Sequence, residues 1–90
     1  SFARPLLYIA RAHAALGERA AALRHLTQAR ALLEDSDPTA TLLGDVYFLL
    51  AQQSAGPRSR ELAERALAVY RREGVARDPQ RAEVERFLAR

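Results

Sequence analysis

The chain has no cysteine, methionine or tryptophan in its 90 residues, and no lysine: all fourteen basic side chains are arginine. Without cysteine no disulfide braces the fold, and no thiolate is available as a nucleophile or zinc ligand. Such usage fits a reducing compartment, and a cytoplasmic location is the expectation. β-Branched residues are few, which disfavours strands. No run approaches the ~20 apolar residues that span a bilayer. The most apolar stretch, LLGDVYFLLA at 42–51, is too short and contains Asp45, so no membrane association is expected. No signal-peptide layout opens the chain. It starts on Ser1 rather than methionine and reads as a fragment of a longer protein.

What is present points to helices. Apolar residues make up 49% and charged residues 28% of the chain, enough for one modest core. Alanine, the best helix former, is the commonest residue, with leucine and arginine next. Asp37-Pro38 and Asp78-Pro79 read as an N-cap followed by proline at the first helical position, and Gly56-Pro57 marks another start. Gly17 and Gly74 stand where helices should end. The chain therefore predicts five helices in a single 1–90 domain: hairpin 4–34 from helices at 4–16 and 18–34, hairpin 38–73 from helices at 38–53 and 57–73, and a last helix at 79–90.

Helical spacing assigns the faces. The first helix places Leu6, Ile9, Ala10, His13 and Leu16 together. The second uses Ala22, Leu26, Ala29 and Leu33, with Arg24 and Gln28 outward. The fourth uses Leu62, Ala63, Ala66, Val69 and Tyr70, with Glu61 and Arg65 paired on its outer face. The third, with Leu42, Leu43, Val46, Tyr47, Phe48, Leu49 and Leu50, is apolar on several sides and should lie interior. Gly44 in its middle implies a close approach by the first or second helix. The last helix has a narrow stripe of Val84, Phe87 and Leu88, the composition of a cap over one end. At the other end Phe2 and Leu6–Ile9 leave helix one very apolar, so either preceding repeats or a second copy should cover it.

The two hairpins also resemble each other. Ala10 and Gly44 are 34 residues apart, as are His13 and Tyr47, Leu16 and Leu50, and Gly17 and Ala51. After the turn the offset is 37, which pairs Ala22 with Ser59, Leu26 with Ala63 and Ala29 with Ala66. A small residue recurs where helix backbones would approach, and a ring recurs one turn later. This helix–turn–helix unit resembles the tetratricopeptide repeat. RELAERAL at 60–67, after its longer loop, is similar to the kinesin-light-chain-like variants common in large bacterial regulators. The match departs where His13 replaces the usual tyrosine and where no proline closes the second helix. The resemblance implies an all-α solenoid that binds a protein or peptide partner, as a scaffold or adaptor, in a groove lined by the first helix of each hairpin. The groove positions it implies are Leu7, Arg11, Ala14, Thr41, Asp45, Phe48 and Leu49. Lysine and asparagine pairs that clamp a terminal carboxylate in chaperone-binding members are absent from them.

No constellation points to catalysis. His13 is expected on a buried face and His25 near an edge, with no acid placed to complete a metal site. Ser36, Ser54 and Ser59 fall at helix ends, where capping accounts for them. Glu34, Asp35 and Asp37 read as a solvated acidic turn. There is no glycine-rich phosphate loop. No enzyme, metal or cofactor is expected. The formal charge is +3, all of it in residues 57–90, but the arginines there are interleaved with glutamates. Arg71, Arg72 and Arg77 form the nearest thing to a basic patch. Homo-oligomerisation through the apolar first helix is the alternative function, and nucleic-acid binding the third.

Overall fold

Helix α1 (Ala3–Ala15) stops where Gly17 turns the chain at φ 76°, a left-handed conformation that costs a glycine little. After a link of three residues α2 (Arg19–Ser36) begins, and so short a link leaves it no course but back along α1. The second pair, α3 (Thr41–Gln52) and α4 (Gly56–Glu73), is joined by three residues in the same way. Gly74, at φ 70°, ends α4; a 3-10 turn over Gly74–Arg77 then runs directly into α5 (Asp78–Leu88) with no non-helical residue between them. This computed structural model describes residues 2–90, and all regular structure among the described residues is helical.

Two of the three proline starts hold. Pro57 and Pro79 sit in the first turns of α4 and α5, where the missing N–H has no partner to lose. Asp78, expected as the N-cap, is instead the first residue of α5 and makes no capping hydrogen bond. Pro38 does not begin a helix. Asp37, Pro38, Thr39 and Ala40 form a tight turn closed by the Ala40 N–H donating to the Asp37 carbonyl at 3.0 Å, and α3 starts only at Thr41. The Asp37 carboxylate accepts from the Thr39 hydroxyl at 2.8 Å instead of capping α3. Glu34 and Asp35, read as loop, belong to α2, which runs two residues further than expected. The serines act at the opposite helix ends from caps. Ser36 and Ser54 donate to the Leu32 and Leu50 carbonyls, and the buried Ser59 donates at 2.6 Å across the hairpin to the Ala51 carbonyl of α3. Ser54 thereby supplies a donor that the end of α3 lacks.

One buried cluster joins every α-helix. Leu26, Ala29 and Leu33 come from α2; Leu62, Ala63, Ala66, Val69 and Tyr70 from α4; Val84 from α5. Ala22 is buried as well but stands outside this cluster. Helix α3 packs on its hairpin partner α4 and on both α1 and α2, and seven of its residues are buried. Tyr47 and Leu50 are only 7% and 3% exposed. That interior position explains why α3 is apolar on several sides. Of the recurring pairs, all members are buried except His13, Leu16 and Gly17, so the two hairpins diverge at the end of α1.

Helix α1 is turned relative to the expected face. Its core residues are Ala3, Leu7 and Ala10, whereas Ile9 and Leu16 are 43% and 74% exposed. Four consecutive apolar residues, Leu6 to Ile9, satisfy two helical registers equally well. Gly44 likewise makes room for a different neighbour. A Cβ there would lie 2.8 Å from Tyr70 Cε1 and 3.0 Å from Val69 Cγ1, so the helix admitted is α4, not α1 or α2.

Candidate functional site

The side of the molecule where α1, α3 and the α4–α5 junction meet carries two adjoining clefts. The smaller, about 300 Å³, is lined by Arg11, Asp45, Phe48 and Leu49, with Tyr70 and Arg77 opposite. The larger, about 650 Å³, runs between the start of α1 and the 37–40 turn with the start of α3, and includes Arg4, Thr41 and Asp45. Asp45 and Arg77 border both.

Five of the seven expected groove residues thus come together. Arg11, Asp45, Phe48 and Leu49 share the small cleft, and Thr41 joins Asp45 on the large one. Leu7 does not belong there: it is fully buried between the hairpins, because the register of α1 turns it inward. Ala14 is half-buried and lines neither cleft. Phe48 is largely committed to the core, with the Phe87 ring edge-on at 5.5 Å, so it offers a rim and not a free ring.

Asp45 is held by the Tyr70 hydroxyl, which donates to its Oδ1. Burial, reinforced by that carboxylate, pushes the Tyr70 phenol above its ordinary value, so it stays a donor at neutral pH. The Arg77 guanidinium stands over the Tyr70 ring at 6.0 Å, and that of Arg11 over Tyr8 at 5.9 Å. Among the described residues, neither arginine has a carboxylate within salt-bridge distance. The cleft therefore pairs one fixed, oriented carboxylate with two guanidinium groups that have hydrogen-bond donors to spare.

Tyr70, Arg77 and Glu83 reach the cleft from α4, the 3-10 turn and α5, which sequence spacing had not implicated. The readable signal was the break at Gly74, which had to redirect the chain toward α3. A second tyrosine–carboxylate bond lies at the hairpin junction. Tyr47 donates to Glu34 Oε2 at 2.6 Å, Arg30 reaches the same oxygen at 3.0 Å, and the Arg30 and Arg65 guanidiniums flank the Tyr47 ring at 5.3 and 5.9 Å. The Tyr47 hydrogen bond holds Glu34 below the usual carboxylate value, and burial raises the Tyr47 phenol.

His13 is partly exposed, not buried, and an acid does stand beside it. Its Nδ1 is 2.7 Å from Glu18 Oε1, and its ring lies near-parallel to that of His25 at 5.3 Å. No group of three potential metal ligands forms among the described residues. Nor is any helix of the described residues long and apolar enough to cross a membrane. Of the basic patch, Arg71 is paired with Glu85 at 3.6 Å and Arg77 faces the cleft, which leaves little concentrated charge. No family model, no curated protein and no solved structure matches the chain.

Proposed function

We propose that this chain is a protein–protein interaction module of the tetratricopeptide-like kind, a scaffold or adaptor element whose small cleft receives an extended peptide. The observation that supports this reading is the convergence of Arg11, Asp45, Phe48 and Leu49 from two hairpins on one cleft. Leu49 and the rim of Phe48 give an apolar contact, and Arg11 and Asp45 give polar handles of opposite sign for the ends of peptide groups. The fixed Asp45 loses little freedom when a ligand N–H binds it, which favours affinity.

Panning a displayed random-peptide library against the immobilised chain tests the reading. Enriched peptides are expected to bind Arg11→Ala at least about tenfold more weakly. Asp45→Asn, which keeps an acceptor for Tyr70, should weaken them as well. Absence of any enriched sequence, or equal binding to wild type and variants, rules the cleft out. Nucleic-acid binding ranks behind this reading, since Arg65, Arg71 and Arg81 are each paired with a neighbouring acid. Self-association concerns a different surface, the outward face of α1.

A further inference from the structure

That outward face is the largest feature the cleft does not use. Phe2, Pro5, Ile9, Ala12 and Leu16 recur at three- and four-residue intervals, and every one of them is exposed. Phe2 and Leu16, which flank the helix, are 79% and 74% exposed, and Ile9 is 43% exposed. A continuous apolar stripe about four turns long is unusual on a free surface and marks a contact. Its relief is that of a helix partner: the small Pro5 and Ala12 alternate with large side chains, leaving hollows that the knobs of another helix can fill.

Charge decides the occupant. Helix α1 contains no acidic residue, and on the flank between the stripe and the clefts the guanidiniums of Arg4 and Arg11 gather at Tyr8. Arg4 donates to the Tyr8 hydroxyl at 3.4 Å, and Arg11 stands over the ring. No carboxylate is paired with either among the described residues. At the opposite edge the nearest acid, Glu18, is engaged by His13. A second copy packed antiparallel on α1 would set this arginine edge against itself, and like charges so placed repel. Packed parallel, it would leave both arginine edges without a counter-charge.

We infer that the outward face of α1 docks an amphipathic helix of another polypeptide segment, with its apolar stripe on Phe2, Ile9 and Leu16 and an acidic edge beside Arg4 and Arg11. The apolar stripe supplies affinity, and the arginines fix direction and exclude basic partners. Phe2, Ile9 and Leu16 lie outside both clefts and Arg11 is the one group shared with the small cleft, so Ile9→Glu with Leu16→Glu tests this face alone and Asp45→Asn tests the cleft alone.

The experiment uses fluorescence anisotropy with two labelled synthetic helices that share a leucine stripe, one edged by glutamates and the other by lysines. The glutamate-edged helix is expected to bind at least about tenfold tighter, with a preference that shrinks as salt rises. Ile9→Glu combined with Leu16→Glu should abolish binding while leaving the circular-dichroism melt unchanged, because both side chains are exposed. Arg4→Glu should narrow the gap between the two helices. Equal binding of both helices, or binding of neither, overturns the inference. So does a chain that light scattering shows to be a dimer through this face, or one that binds phosphatidylserine vesicles and neither helix.

Discussion

Among the four glycines, Gly44 is the one whose added side chain would meet the rest of the protein. The others lie at turns with positive φ and open space around them. At Gly44 the obstacle is the Tyr70 ring, which cannot swing aside freely because its hydroxyl is bonded to Asp45. Gly44→Leu should therefore cost about 1–3 kcal/mol in urea unfolding through overpacking. Gly44→Ala should cost less, since about 1 kcal/mol of helix propensity offsets its smaller intrusion. A leucine variant as stable as wild type would mean that α4 does not approach so closely. The sequence made the need for a small residue visible here, but not the neighbour that requires it. Spacing reports which side of a helix is crowded; only the packing says by what. Leu7 and Ile9 show the same limit, since a run of four apolar residues leaves the inward register of α1 undetermined.

Between elements, the link that periodicity could not show is the hydroxyl of Tyr47 on Glu34, which ties α3 to α2 across the hairpin boundary. Glu34 looked like part of a solvated turn because it sits among Asp35, Ser36 and Asp37, all residues that favour helix ends. Its bond makes it sensitive to pH. The folded chain holds the Glu34 carboxyl below its ordinary value of 4.5, so folding favours the ionised form. The stability this provides is complete above that value and is lost as pH falls through the lower folded one. Thermal midpoints measured across the acid range should show wild type more stable than Tyr47→Phe at neutral pH. Below about pH 4.5 the difference should shrink. A constant gap at all pH values would assign the effect to packing and not to the carboxylate. Helix faces, by contrast, were well legible for α2 and α4, where alternating arginines and alanines leave one register only. Helix starts were legible at Pro57 and Pro79 but not at Pro38, where a proline opens a turn as readily as a helix.

For the whole molecule, the all-helical class and the interior place of α3 were legible, because both follow from composition and from one strongly apolar segment. The clefts were legible only in part. Arg11, Asp45 and Leu49 could be placed on one side by spacing, but the contribution of Tyr70 and Arg77 depends on how Gly74 redirects the chain. The two phenol–carboxylate bonds have an optical consequence. With no tryptophan, the ultraviolet emission of the protein comes chiefly from three tyrosines, and two of them donate a hydrogen bond to a carboxylate. A tyrosine so bonded is dark, because its excited ring hands the bonded proton to the acceptor. Denaturation should therefore brighten the protein in proportion to the population unfolded, and Tyr47→Phe should leave a smaller rise. Emission that merely dims on unfolding would mean the phenols are not so engaged in solution.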